Sequence, residues 1–280
     1  MKKLIILLLL GFCVNESVTA QKNSATTVMT FNIRLNLASD SLNAWPNRKH
    51  MAFDLVRFHQ PDIIGLQEVL SGQRQDFENE MNEYQYVGSG REDGLLKGEA
   101  TVIGFLKNRY SLIKSGHFFL NETPEKPVLG WDASFVRPTI WARISDRFTK
   151  KEILIINVHF DNNGVTARKE SAKMIAEFIA KNKKSARVIV TGDFNTDLQS
   201  GELNNLVNSK VKPAQMFSGV SNYGPNWSFQ GFGRLAVNER KLIDYIFLSD
   251  EWKIKRLGVL TDSWENKWPS DHCPVLAELK

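Results

Sequence analysis

Short apolar runs separated by amphipathic stretches make up most of this chain. Eight runs are apolar or alternating and bounded by turn residues. They predict strands over Val28 to Arg34, Ile63 to Leu66, Ala100 to Leu106, Thr139 to Ile144, Ile153 to Phe160, Val188 to Thr191, Leu242 to Leu248 and Pro274 to Leu279. Between them apolar residues recur at helical spacing. Met51, Ala52, Leu55, Val56 and His59 share one face, and Phe77, Met81 and Tyr84 share another, behind a cap at Ser71. Met174, Ile175, Phe178 and Ile179 form a third stripe, and Leu203, Leu206 and Val207 a fourth. Several strands are apolar at successive positions, which requires cover on both faces. Helices on one side and further strands on the other supply it. The pattern therefore predicts an α/β architecture of two sheets packed face to face, with helices outside.

The pattern also sets the organisation. No internal repeat, low-complexity block or long linker interrupts it, so residues 28–280 read as one domain, with residues 21–27 a flexible, polar lead-in. Ahead of these, Lys2 and Lys3 precede the apolar run Leu4 to Leu10, and Val18-Thr19-Ala20 offers small residues for cleavage before Gln21. Residues 1–20 thus read as a signal peptide, with an uncleaved anchor as the alternative. Phe12 is bulky where lipid attachment at Cys13 requires a small residue. Export to the periplasm or the extracellular space is expected, with no stable membrane insertion once the signal is removed.

Composition adds bounds. The chain has 280 residues, 42% hydrophobic and 24% charged, which is ordinary for a globular protein with a sizeable core. Signal cleavage would remove Lys2, Lys3 and Glu16 and so lower the formal charge of +5 by one. An excess this mild does not demand a polyanionic partner. Cys273 would be the sole remaining cysteine, so no internal disulfide is expected and stability must come from the core.

The chemistry lies at the ends of the apolar runs. Val188-Ile189-Val190-Thr191-Gly192 leads into Asp193-Phe194-Asn195, and in an extended segment residues two apart point to the same side. Asp193 and Asn195 could therefore aim at one point beyond a buried strand. Asn32, Glu68, His159, Asp244, Asp271 and His272 occupy similar settings. Taken singly, an Asp or Asn at a strand end is a turn or cap residue, and a lone His is structural. Taken together, so many groups suited to metal and phosphate at apolar run ends point to a metal-assisted hydrolytic site. His50, His59 and His117 match no motif and read as surface or structural residues.

The ordered set Thr30-Phe31-Asn32-Ile33, Gln67-Glu68, Asn157-Val158-His159-Phe160, Gly192-Asp193-Phe194-Asn195, Ile243-Asp244-Tyr245-Ile246 and Ser270-Asp271-His272 resembles the endonuclease/exonuclease/phosphatase superfamily, and a bacterial secreted branch of it. The resemblance implies a four-layered α/β/β/α sandwich with two mixed sheets. It implies a Mg²⁺ site, with Mn²⁺ as a substitute, formed by Glu68 and Asn32 and completed by Asp271. It further implies that Asp193 orients or activates water and that Asn195 helps hold phosphate or metal. His272 would contact phosphate with Asp244 fixing its tautomer, and His159 would contact a phosphate oxygen. Which of Asp193 and His272 is the base stays open.

Arg91, Arg137, Trp131 and Asp161 lie in loops particular to this chain and are candidate substrate-binding residues, the arginines as forks for phosphate. The resulting expectation is a monomeric, exported, Mg²⁺-dependent phosphoester hydrolase acting on a small phosphorylated sugar, inositol or lipid headgroup. A nuclease, either a nocturnin-like single-strand 3′–5′ exonuclease or a non-specific endonuclease, is the alternative. Nucleic acid is less favoured because no basic tract with stacking aromatics is evident. A non-catalytic binding protein on the same scaffold is the second alternative.

Overall fold

The computed structural model describes residues 25–220 and 222–280, so the signal peptide expected over residues 1–20 lies outside the described residues. Two mixed sheets form the centre of the molecule. The strands are β1 (Thr26–Asn32), β2 (Ile63–Val69), β3 (Tyr84–Gly90), β4 (Ala100–Leu106), β5 (Tyr110–Phe119), β6 (Pro138–Asp146), β7 (Glu152–His159), β8 (Arg187–Asp193), β9 (Lys212–Pro213), β10 (Asn222–Tyr223), β11 (Asp244–Leu248), β12 (Ile254–Val259) and β13 (Val275–Leu279). One sheet has seven strands in the order β10-β12-β13-β1-β2-β4-β3, and the other has six in the order β5-β6-β7-β8-β11-β9. The helices are α1 (Trp45–His59), α2 (Ser71–Glu80), α3 (Val165–Asn182) and the single turn α4 (Asn204–Val207).

Side-chain alternation builds the layers. On β1 and β2, Val28 and Ile63 enter the core between the sheets, together with Ile155 of β7 and Ile189 of β8. Their neighbours Met29 and Ile64 point the other way, into a core shared with Phe53 and Leu55 of α1 and Phe77 of α2. Leu154, Ile156, Val188 and Val190 likewise pack under Ala172, Ile175 and Ile179 of α3. The successive apolar positions are thus explained by cover on both faces, and the expected two-sheet sandwich with helices around it is the observed fold.

Several local expectations are corrected. β1 starts at Thr26, inside the expected lead-in, because Thr26 and Thr27 pair with Leu279 and Glu278 of β13. It ends at Asn32 rather than Arg34, whose φ of 55° breaks the strand. Ser71 is the first residue of α2 and not its cap. That position belongs to Leu70, whose N–H donates to Oε1 of Gln73 at 3.2 Å. Tyr84 opens β3 instead of extending a helix. β3, β5, β9, β10 and β12 were not anticipated. β5 and β12 carry exposed Lys114, Lys255 and Arg256, as strands at or near sheet edges can.

Beneath one end of the sandwich, a buried polar seam joins the two sheets. Nδ2 of Asn157 on β7 donates to Leu66 O (2.8 Å) and Val102 O (2.9 Å) in the opposite sheet. Its Oδ1 accepts from Gln67 Nε2 (2.7 Å) and Thr191 Oγ1 (3.0 Å), and Gln67 Nε2 also donates to Thr30 Oγ1 (3.1 Å). The sheets meet so closely here that a Cβ on Gly65 would lie 2.1 Å from Thr191 Oγ1, so only glycine fits. The β2–β4 register shifts between Leu66 and Val69, and Glu68 within this bulge has φ 60°. A bulge of this kind re-aims a side chain out of the ladder.

Candidate active site

Strand direction brings the chemistry to one rim. β1 runs parallel to β2, and β7 runs parallel to β8 with His159 opposite Asp193. Asn32, Glu68, His159 and Asp193 therefore stand at the same ends. β11 is antiparallel to β8 with Asp244 opposite Asp193, and β13 is antiparallel to β1, so Asp244 and the Asp271-His272 pair arrive at that rim from the other direction. Four seam residues lie two positions before a rim residue on their strand: Thr30 before Asn32, Leu66 before Glu68, Asn157 before His159 and Thr191 before Asp193. The seam is the floor on which the rim residues stand.

Asp193 is the centre of the group. Its Oδ2 accepts from Asn32 Nδ2 at 3.0 Å and lies 3.6 Å from His159 Nε2 and 3.7 Å from His272 Nε2, while Oδ1 accepts from Asn195 N at 2.9 Å. Burial, reinforced by the charge of Asp244, pushes its carboxyl up to about 7, against the pull of His272 and the hydrogen bonds from Asn32 and Asn195. Asn195 is held at φ 52° and donates to Phe160 O at 3.0 Å. Strained residues of this kind persist where the surrounding structure over-determines them.

The two histidines differ at Nδ1. His272 Nδ1 is 2.8 Å from Asp244 Oδ2, which also accepts from Ser228 Oγ at 2.6 Å. Burial works to lower the pKa of His272, but Asp244 and Asp193 outweigh it and push it up to about 10, so the ring is a cation at neutral pH. His159 Nδ1 is 2.9 Å from Arg137 Nη1. Burial, and then the cations Arg137, His272 and Arg91, hold His159 well below the usual imidazole range.

Glu68 and Asp271 form an oxygen-rich side of the same cavity. Glu68 accepts from Asn32 Nδ2 (3.1 Å) and Leu35 N (3.0 Å), and Asn32 Oδ1 accepts from Arg34 N (2.9 Å). Burial raises the pKa of Asp271; His272 opposes this and the like charge of Glu68 adds to it. A repelling carboxylate pair with an amide oxygen alongside suits a hard divalent cation. Asp193, Asp244 and His272 also bring ligand atoms within 4.8 Å of one another, so they too are close enough for an ion. There, however, His272 Nδ1–H donates to Asp244 and the ring is protonated on both nitrogens, so it offers no lone pair to a metal and the Glu68 side is the better fit.

The cavity measures about 360 Å³. Opposite the carboxylates, Glu99 takes Arg91 Nη1 at 2.6 Å and Arg137 Nη1 at 3.7 Å. Both guanidinium groups lie against the Phe135 ring, 4.9 and 5.3 Å from its centroid. The predicted residues Glu68, Arg91, Arg137, His159, Asp193, Asn195, Asp271 and His272 all line this cavity, with Asn32 and Asp244 directly behind. Two candidates do not line it. Trp131, at φ 47°, is half-buried in a turn, where its backbone N–H donates to the Glu122 carboxylate. Asp161 is buried and its carboxylate accepts four backbone N–H groups, from Ser134, Phe135, Asn163 and Gly164. Burial opposes its ionisation, but these bonds prevail and hold its pKa below the usual carboxylate range. Asp161 organises the loop that carries Phe135 and leaves no lone pair for a ligand.

Sequence reasoning missed Arg34, Arg48, Glu99, Phe135 and Phe229. Arg34 is clamped by Asp40 (3.0 and 3.1 Å) and comes within 3.9 Å of both Glu68 and Asp271. Arg48, buried on α1, donates to Ile33 O, Arg34 O, Asn43 O and Pro269 O, which ties the exit of β1 to the approach to Asp271. Phe135 was legible only as an aromatic two residues before Arg137 in the loop ahead of β6; nothing in the local sequence marks Arg48. Among the described residues no helix is long and apolar enough to cross a membrane.

Comparison with known proteins agrees with the fold. Residues 29–272 match the Endonuclease/Exonuclease/phosphatase family. The fold is similar to that of an endonuclease/exonuclease/phosphatase from Bacteroides vulgatus, with a TM-score of 0.88 and 33% identity, over 92% of this chain and 99% of that one. It is also similar to a mannosyl-6-phosphatase from Bacteroides thetaiotaomicron, with a TM-score of 0.86 and 34% identity, over 91% of this chain and 99% of that one. An uncharacterized protein of Acanthamoeba polyphaga mimivirus is 30% identical over 254 residues, covering 84% of this chain and 92% of its own length.

Proposed function

Because the chain belongs to the endonuclease/exonuclease/phosphatase family of phosphoester hydrolases, we propose that it is an exported, Mg²⁺-dependent phosphatase of small phosphorylated sugars. One observation carries the substrate class. The carboxylate side of the cavity faces a wall of Arg91, Glu99, Arg137 and Phe135, and this half-open cavity of about 360 Å³ is of a size to hold one small ligand. The mannosyl-6-phosphatase at 34% identity supports the same class, and the N-terminal apolar run supports export.

In this reading Glu68, Asn32 and Asp271 hold the cation. A divalent ion there would neutralise phosphoryl charge and polarise the ester. Asp193 faces the cavity with a carboxyl balanced near neutrality and orients the attacking water. The His272 cation, kept charged by Asp244, stabilises developing negative charge, and His159 donates a hydrogen bond to a phosphoryl oxygen. Asn195 holds its backbone position beside Asp193 and offers its amide to the phosphate. Arg91 and Phe135 meet the sugar.

The test is phosphate release from hexose 6-phosphates, inositol phosphates, bis-p-nitrophenyl phosphate and single-stranded oligonucleotides, with Mg²⁺, Mn²⁺ or EDTA. The expected result is metal-dependent turnover with the highest kcat/KM on a sugar monoester. Higher kcat/KM on oligonucleotides would replace this reading with the nuclease one, and no turnover across the panel by folded protein would overturn it.

A further inference from the structure

His159 and His272 both turn Nε2 toward Oδ2 of Asp193, but opposite groups stand at their Nδ1 atoms. Behind His272 is a carboxylate, which only accepts; behind His159 is a guanidinium, which only donates. Given the phosphoesterase reading above, we propose that Arg137 is a positioning residue. It fixes His159 as the uncharged tautomer with its proton on Nε2, so that His159 is a permanent hydrogen-bond donor to the phosphoryl group and takes no part in proton transfer.

The geometry leaves little alternative. An arginine side chain keeps its proton in proteins and offers no lone pair. At 2.9 Å from Nη1, His159 Nδ1 must therefore present its own lone pair, and the single ring proton resides on Nε2. Protonating Nδ1 would set donor against donor, and cation against cation, in a site where His159 and Arg137 are only 5% and 6% exposed. Arg137 has no easy route away. Glu99 holds Nη1 at 3.7 Å, Asp161 lies 4.0 Å from Nε, and the Phe135 ring covers the guanidinium. Arg137 also stands immediately before Pro138, with its carbonyl accepting from Leu120 N at 2.9 Å. The other charged groups around His159 come from separate elements. Arg91 from the β3–β4 hairpin and His272 before β13 oppose a second proton, as does Arg137 from the start of β6. Among the described residues, Asp193 at the end of β8 is the acid within ion-pair distance of Nε2, at 3.6 Å, and Glu99 is engaged by the two arginines. That 3.6 Å is longer than a hydrogen bond, so the Nε2 proton is free for a ligand oxygen.

The division of labour follows. Asp193 orients the water, the His272 cation stabilises developing charge, and His159 contributes a dipole of fixed direction that costs no reorganisation during reaction. Asp161 gains a purpose as well, since it holds the loop whose Phe135 covers Arg137.

Long-range ¹H–¹⁵N correlation spectra of ¹⁵N-histidine-labelled full chain, without substrate, read the tautomer directly, and His159→Gln identifies the resonance by its loss. From about pH 5 to about 8, where an unperturbed imidazole changes charge, His159 is expected to show an unprotonated Nδ1 and a protonated Nε2 throughout. Arg137→Met should release it to a tautomer mixture or to titration, and Arg137→Lys, also donor-only, should restore the wild-type pattern. In kinetics His159→Gln keeps an N–H donor that cannot exchange roles. It should lose less than the ~10²-fold typical of removing a proton-transfer group and keep the wild-type pH profile, whereas His159→Ala should lose roughly 10²-fold or more. A protonated Nδ1 in the wild-type spectrum overturns the proposal whatever the variants do, and so does loss of a limb of the pH profile in His159→Gln. Absence of turnover on any phosphoester would instead remove the functional reading and leave the spectral result standing.

Discussion

Replacing Asn157 with alanine tests whether the polar seam holds the sheets in the relation that the rim residues need. The amide makes four hydrogen bonds, and their fates differ. Gln67 Nε2 keeps Thr30 Oγ1 and Gly65 O, and Thr191 Oγ1 keeps a long contact to Ile156 O. Leu66 O and Val102 O lose the donor that reaches them from the opposite sheet. A buried polar group left without its partner costs about 1–3 kcal/mol, so two such carbonyls predict a loss of about 2–6 kcal/mol. Against a typical total of about 5–15 kcal/mol, that is a large fraction. The assay is urea unfolding followed by tryptophan fluorescence and far-ultraviolet circular dichroism, with the midpoint expected to fall and the slope to stay constant. Activity should fall as well under conditions where the variant remains folded. Asn157 lies two residues before His159, and its partner Leu66 two before Glu68, and a displacement of about 1 Å at reacting groups can cost 10²-fold. A loss of stability below about 1 kcal/mol, the net worth of one ordinary hydrogen bond, would refute the reasoning.

Three further outcomes are expected. Asp244→Asn removes the anion behind His272, so the alkaline limb of kcat/KM should move to lower pH. The pKa of His272 is raised from 6.5 to about 10, so its stabilising contribution is complete below 6.5 and is lost as pH rises through about 10; in the variant that loss should disappear from unfolding free energies measured over the same window. Glu68→Gln should shift the Mg²⁺ dependence of activity to higher concentration, and an unchanged titration would count against Glu68 as a ligand. Asp161→Asn should destabilise the fold more at neutral pH than below pH 3.8, because a depressed carboxyl contributes above its unfolded pKa and loses that contribution as pH falls; equal destabilisation at both, by urea midpoint, would contradict its charge-assisted role.

The central strands were legible because burial on both faces writes continuous apolar runs, as in Val188-Ile189-Val190 and Ile153 to Ile156. Their polar ends stood out for the same reason: a carboxylate or imidazole after such a run needs a partner, and the partners turned out to be each other. β3, β5 and β12 were hidden because a strand with a partly exposed face can carry Ser, Gly, Lys and Arg without cost. The cavity wall was half legible. Arg91 and Arg137 were marked by type, but their joint dependence on Glu99 and Phe135 arises from the meeting of the β3–β4 hairpin with the approach to β6, which no local pattern records. Asp161 shows the opposite error. An acid beside a site histidine looks like a ligand group in sequence, and only the four backbone N–H groups turned toward it reveal that it is already satisfied.

The pairing of β1 with β13 sets an order of events in time. β1 has β2 on one side and β13 on the other, so the strand synthesised first in this sheet waits for residues 275–279 before its second edge is covered. Asp271 and His272 come into place only with that closure. Contacts so distant in sequence form slowly, since the loop-closure entropy must be met before the pairing rewards it. A chain elongated only as far as Val259 already contains Glu68, His159 and Asp193, yet lacks His272, which faces Asp193, and Asp271, the carboxylate beside Glu68. Asp271 and His272 are therefore the last of the proposed site groups to be set in place.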